Sequence, residues 1–287
     1  MHYENRQPPE GINVTAEHPL RQFVRLVVAA AVLLVLLVVA LQFAGAFLAK
    51  RIPFDFERRV VERMQIDFGD AELSPELVGY LDTLAERLMG SMAVPEGVDV
   101  TVHYSPERTF NAFATVGGNL LFYRGLLARL PHENALAMVL AHEIAHVLHR
   151  DPVAGLGGGV ASAVALAMLT GNAGTGLAGE VLGRAGVLTG VQFTRRMEHE
   201  ADRAALGALA ATYGHVGGGD ALFELIAEKR GESRLPDWLA RFTSTHPLDA
   251  DRIRAMAEIA AAEGWATEGE ITPLPAEFDD WLAADER

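Results

Sequence analysis

Two histidines four residues apart, with a glutamate beside the first, are the residues of this chain best suited to chemistry: His142-Glu143-Ile144-Ala145-His146. On a helix, positions i and i+4 share a face with Cβ atoms roughly 5 to 6 Å apart. Both imidazoles can then reach one ion at about 2.0 to 2.1 Å, the length of a Zn–N bond. Glu143 can point at a water on that ion and take its proton. Alone, this five-residue pattern arises by chance in a few of about a hundred random chains of this length. Its context strengthens it. Ala137, Met138, Ala141, Ile144, Ala145 and Leu148 recur at three- and four-residue steps, Pro131 is a start signal and Asp151-Pro152 closes the pattern, so residues 132 to 150 read as a helix. A buried apolar helix has no packing reason to carry two histidines and a glutamate, because unpaired buried polar groups cost about 1 to 3 kcal/mol each.

A second helical segment, 194 to 212, nominates a third ligand. Glu198, Ala201, Asp202, Ala205 and Leu209 follow a three- and four-residue rhythm and define one inward face. Two carboxylates on an otherwise apolar face need partners. Glu198 is the expected metal ligand, leaving the open fourth position that a catalytic zinc keeps for water. Asp202, one turn on, is the expected outer partner that fixes the tautomer of a ligand histidine. Glu200 lies about 200° around the helix from Glu198 and three residues before Arg203, so it reads as a solvated ion pair; His199 is also off the face. With no cysteine in the chain, a metal must be held by His, Asp and Glu, and one Zn2+ per chain is expected.

These helices need a scaffold. Residues 57 to 66 and 74 to 92 read as amphipathic helices, the second opening on Ser74 as N-cap with Pro75 behind it. Residues 97 to 105 alternate as a strand. Residues 109 to 116 and 119 to 123, joined at Gly117-Gly118, read as a β-hairpin. That hairpin is either plain sheet beside the helix or an edge that holds an extended peptide by strand addition. The Gly- and Ala-rich stretch after Asp151 includes the apolar run 160 to 169, too short for a clear membrane span and read as a packed helix or one dipping into a membrane surface. Residues 216 to 230 read as a further helix. His246, held extended by Pro247, is either a surface histidine or one that approaches the metal, as oxyanion stabiliser or reversible fourth ligand.

Residues 26 to 49 contain no charge in 24 residues and are long enough to cross a hydrocarbon core of about 30 Å. About 25 mostly polar residues precede them, which favours an uncleaved single-pass anchor over a secretory signal. Three Lys or Arg flank the span before it and five after it, a weak lean toward a cytoplasmic C-terminal domain, while the immediate neighbours balance two against two. The net charge of −14 argues against nucleic acid as a partner. The chain therefore divides into a polar tail (1–22), a transmembrane anchor (23–50), a catalytic domain (51–264) and an acidic tail (265–287).

Four motifs taken together resemble a known family. They are His142-Glu143-Ile144-Ala145-His146, Glu198-His199-Glu200-Ala201-Asp202, Asn111-Ala112-Phe113-Ala114 before Gly117-Gly118, and Ser244-Thr245-His246-Pro247 with Arg252. Over residues 70 to 260 the chain is similar to the HtpX, CAAX prenyl protease and OMA-type membrane zinc metallopeptidases. The resemblance implies an α+β, mainly helical, zincin-like domain with a small β-sheet. It implies zinc on His142, His146 and Glu198, Glu143 as acid/base, and Asn111, Ala112 and Phe113 lining a cleft for a polypeptide substrate. Asp202, His246 and Arg252 fall in outer or regulatory positions. A single span, where the HtpX and prenyl protease branches have several, favours a single-anchor bacterial branch. The expected function is a membrane-anchored zinc endopeptidase acting in quality control of membrane or misfolded proteins. The alternative is a membrane-tethered zinc-containing binding or chaperone-like module whose site is closed.

Overall fold

A computed structural model describes residues 19–64, 74–170, 193–230, 246 and 252–283. The first helix, α1 (Pro19–Ala49), contains the uncharged run and leaves most of its large apolar side chains exposed. Among the described residues it is the one helix found long and apolar enough to cross a membrane. A short link leads to α2 (Phe54–Met64), and α3 (Pro75–Met89) buries Leu77, Leu81, Leu84 and Leu88 along one stripe, as its three- and four-residue spacing requires. Ser74 stands at the N-cap position of α3, but its hydroxyl donates to the carbonyl of Trp281 instead of capping the helix.

Three strands follow, β1 (Thr101–Ser105), β2 (Ala112–Ala114) and β3 (Asn119–Tyr123), in spatial order β1-β3-β2. β1 runs parallel to β3, and β2 pairs antiparallel with it, Phe113 facing Leu121. The expected hairpin is therefore present. Gly117 and Gly118 turn it with φ of 76° and 81°, a region that side chains with a Cβ avoid. The single-turn helix α4 (Arg124–Leu127) leads to α5 (Glu133–Leu148), which is buried over nearly its whole length. His132 is the N-cap of α5, its ring nitrogen accepting from the Ala135 amide at 3.1 Å.

Asp151 does not end the helical path, as expected, but starts a new helix, α6 (Asp151–Thr170), after a sharp corner at Arg150. The corner keeps the pattern of α5 finite while α6 turns back along α1. Contact there is through small residues: a Cβ placed on Gly157 would lie 2.5 Å from the Ala49 Cβ and 2.7 Å from the Gly45 carbonyl oxygen. The short apolar run 160 to 169 is thus part of a helix packed on α1.

α7 (Arg195–Tyr213) lies against α5 and ends at Gly214 in the left-handed conformation. α8 (Ala221–Arg230) starts five residues later than the sequence pattern suggests, because residues 217 to 220 form a turn. α9 (Arg252–Glu263) packs on α7. Residues 265 to 283 lie on the domain instead of trailing from it. Thr272 exchanges backbone and side-chain hydrogen bonds with Glu133 and Asn134, and α10 (Phe278–Ala283) buries Phe278 and Leu282 near α3. The polar stretch 1 to 18 and residues 244, 245 and 247 to 251 lie outside the described residues.

Candidate metal centre

α5 and α7 present their polar residues to each other across a buried interface. His142, Glu143 and His146 are 6 %, 1 % and 0 % exposed, and Glu198 and Asp202 are 2 % exposed each, so these groups are paired with one another and not with bulk solvent. Ala201, Ala205 and Leu209 share the inward face of α7 with the two carboxylates, as the spacing predicts. Glu200 is exposed and ion-paired as expected, but with Arg196 at 2.9 Å. Arg203 is taken by Glu263 on α9.

Each histidine of α5 has one nitrogen tied to a carboxylate. His142 Nδ1 lies 3.0 Å from Asp202 Oδ1, and His146 Nδ1 lies 3.0 Å from Asp151 Oδ2. A carboxylate accepts only, so each Nδ1 donates, and each Nε2 is left to offer its lone pair to a metal or, with none bound, to carry a proton toward Glu198. Those two Nε2 atoms are 3.1 Å apart. Glu198 oxygens stand 3.5 Å from the first and 3.4 Å from the second. His246 adds its Nδ1 at 3.1 Å from Glu198 Oε1. Ligand atoms from His142, His146, Glu198 and His246 all lie within 4.8 Å of one another.

Acceptors converging on one point repel unless a cation or a proton sits among them. The electrostatics reflect that demand. Burial opposes a charge on His142, yet hydrogen bonds to Asp202 and Glu198 outweigh it and raise its pKa to about 9. Burial would raise Glu198, but the charge of His246 and hydrogen bonds from the three histidines hold it far below the usual carboxylate range. Asp202 falls to about 2 against its own burial, mainly through the charge of Arg252. A buried set of two or three imidazoles and one carboxylate, with oriented outer partners, fits a divalent metal ion.

Arg252 ties the surroundings together. Its Nε and Nη2 grip both Asp202 oxygens at 2.7 Å, its Nη1 lies 2.6 Å from Glu198 Oε2, and its guanidinium stacks 4.6 Å from the Phe223 ring centroid. Glu143 faces the sheet: its Oε2 accepts from the Ala114 amide of β2 at 2.8 Å, and its Oε1 is 3.4 Å from His246 Nε2. β2 is an edge of the sheet, and Asn111, Ala112 and Phe113 lead into this contact, all buried. Sequence reasoning missed two neighbours of His146. Phe193 stacks on its ring at 3.8 Å and 14°, and Asp151, read as a helix stop, is its carboxylate partner. An acid five residues after the second histidine was the available signal for Asp151; for Phe193 there was none.

A short three-stranded sheet beside a helix bearing two histidines and a glutamate, with a carboxylate delivered by a second helix, is the architecture of a zincin-like metallopeptidase. The chain belongs to peptidase family M48, whose model matches residues 75–260. It is 32% identical over 202 residues to the putative beta-barrel assembly-enhancing protease of Vibrio cholerae, covering 65% of this chain and 40% of that protein. It is 30% identical over 202 residues to the beta-barrel assembly-enhancing protease of Escherichia coli, covering 64% and 39%. With the mitochondrial metalloendopeptidase OMA1 of Schizosaccharomyces pombe it shares 27% over 230 residues, covering 77% and 64%. The chain thus spans about 40% of the length of these bacterial relatives.

Proposed function

We propose that this chain is a membrane-anchored zinc endopeptidase in which His142, His146 and Glu198 hold the metal and Glu143 is the acid/base. The observation that carries the reading is the convergence of buried acceptor atoms between α5 and α7, with Glu143 one residue from a ligand and in contact with the edge strand. Zinc, when bound, polarises the scissile carbonyl and acidifies the water it carries. Glu143 takes the proton of that water and returns it to the leaving amine; its hydrogen bond from Ala114 aims the carboxylate. Asn111, Ala112 and Phe113 line the cleft that receives the peptide, beside Glu143. Asp202 holds the tautomer of His142, and Arg252 keeps both Asp202 and Glu198 ionised and in place.

His246 reaches the same point as the other three ligand residues. It acts as a reversible fourth ligand, closing the resting site and withdrawing when water and peptide enter. Residues 26 to 49 form the single-pass anchor, and the names of the relatives favour substrates among membrane or misfolded polypeptides.

The test is proteolysis of an unfolded protein by the purified full chain in detergent. Cleavage should stop when a chelator strips the metal and return with stoichiometric Zn2+. Cleavage that persists without metal would overturn the proposal, and a metal-loaded chain that never cleaves would favour the binding module with a closed site.

A further inference from the structure

The carboxylate that orients His146 is itself held from the membrane side. Asp151 is 2 % exposed in its side chain, and each of its oxygens has one partner: Oδ2 faces His146 Nδ1 at 3.0 Å, and Oδ1 accepts from Lys50 Nζ at 3.0 Å. Lys50 is the first residue beyond α1, and the same ammonium donates to the His149 carbonyl at 2.7 Å. The last residue of the anchor region thereby grips both the end of α5 and the start of α6.

The corner between those helices is held from the same segment. Arg150 has φ of 63°, the one positive value at a non-glycine residue among the described residues. A side chain in that conformation persists only where its surroundings hold it. Here the guanidinium donates to the Ile52 carbonyl, pairs with Glu57 of α2 and lies 5.7 Å from the Phe54 ring centroid. Glu57 also accepts from the Gly117 amide at the hairpin tip at 3.3 Å, and that hairpin carries Ala114 against Glu143. Residues 50 to 57 therefore touch the supports of both a histidine and the glutamate of the site.

We propose that Asp151 is a positioning residue for His146 and that Lys50 holds it there, so that metal retention depends on the juxtamembrane segment being docked. The inference rests on His146 being a ligand. An ordinary half-exposed ion pair between Lys50 and Asp151 would change stability slightly and leave metal affinity alone. A positioning role changes affinity, because a histidine that loses its outer carboxylate rotates and loses its tautomer.

Zn2+ affinity is measured by chelator competition on the full chain in detergent, with the unfolding midpoint of the metal-free protein recorded alongside. Asp151→Asn should weaken zinc about 10- to 100-fold. Lys50→Met should weaken it about two- to fivefold, and Lys50→Arg should restore it. Metal-free midpoints within the wild-type range show that the fold is intact; Asp151→Asn, which keeps shape and an acceptor oxygen, carries the test if Lys50→Met fails to fold. Wild-type affinity in Asp151→Asn would overturn the positioning role, and wild-type affinity in Lys50→Met would overturn the coupling to the anchor. His146→Ala separates this inference from its premise: wild-type zinc affinity there removes His146 from the ligands and the inference with it.

Discussion

At the scale of single residues the site is a problem in charge. Asp151 and Asp202 each occupy one histidine nitrogen, which turns the other nitrogens toward Glu198 and leaves two imidazoles and a carboxylate converging in a buried interior that a cation or shared protons must neutralise. Glu198 and Glu200 share a helix and a side-chain type, but only Glu198 enters that convergence. Glu198→Ala should therefore lower zinc affinity by more than the roughly 10- to 100-fold expected of an outer partner such as Asp202. Glu200→Ala should leave it unchanged, and elemental analysis of the two purified variants separates them; the reverse result would move the ligand to Glu200. If His246 is a reversible ligand, His246→Ala should keep the zinc bound to the other three residues and cleave unfolded protein faster than wild type. Slower cleavage with zinc retained would instead assign it to the oxyanion.

At the scale of elements the metal helix is fixed at its start as well as its end. Glu133, in the first turn of α5, accepts from Tyr80 of α3 at 2.7 Å and from Tyr213 of α7 at 2.8 Å, and pairs with Arg87. Burial alone would raise its pKa, but these hydrogen bonds win and lower it. A carboxyl depressed in the folded state stabilises above its unfolded pKa, near 4.5, and the contribution fades as pH falls through the folded value. Glu133→Gln should thus cost about 1 to 3 kcal/mol at neutral pH. The gap between variant and wild type should close below about pH 4.5, which denaturant titrations at several pH values will read. A gap independent of pH would show that the charge is not what the cluster uses.

The parts of this arrangement legible in the sequence were those with a period. Helical spacing placed His142 and His146 on one face and put Glu198 and Asp202, not Glu200, on the inward side of α7. The Gly117-Gly118 pair marked the hairpin because two consecutive positive φ values suit glycine. Partners far apart in the chain left no such trace. Lys50 and Asp151 are 101 residues apart, and Phe193 meets His146 only through the fold. Glu200 shows the limit within one helix: a partner at i+3 and one at i−4 are equally allowed locally, and the choice was made by Glu263, which occupies Arg203. Arg252 entered through resemblance alone, since its role depends on α9 packing against α7.

At the scale of the whole molecule, the long apolar helix α1 meets the rest of the fold at α6 through a seam of small residues. Gly157 leaves no space for a side chain against Gly45 and Ala49. Gly157→Leu should force the helices apart and lower stability by about 1 to 3 kcal/mol, seen as a lower unfolding midpoint of the full chain in detergent; an unchanged midpoint would show that the seam is not tightly packed in solution. Residues 265 to 283 add a belt over α3 and α5, so the domain draws on both ends of the chain to hold a site built in its middle.

The central claim, that a metal held by α5 and α7 serves peptide hydrolysis with Glu143 as its base, is tested most directly by Glu143→Gln. Cleavage of an unfolded protein and zinc content are measured on the same preparation of the variant and of wild type. The account predicts wild-type zinc content with cleavage reduced at least about 100-fold, the lower range for loss of an acid/base group. Cleavage at the wild-type rate with zinc still bound would contradict it.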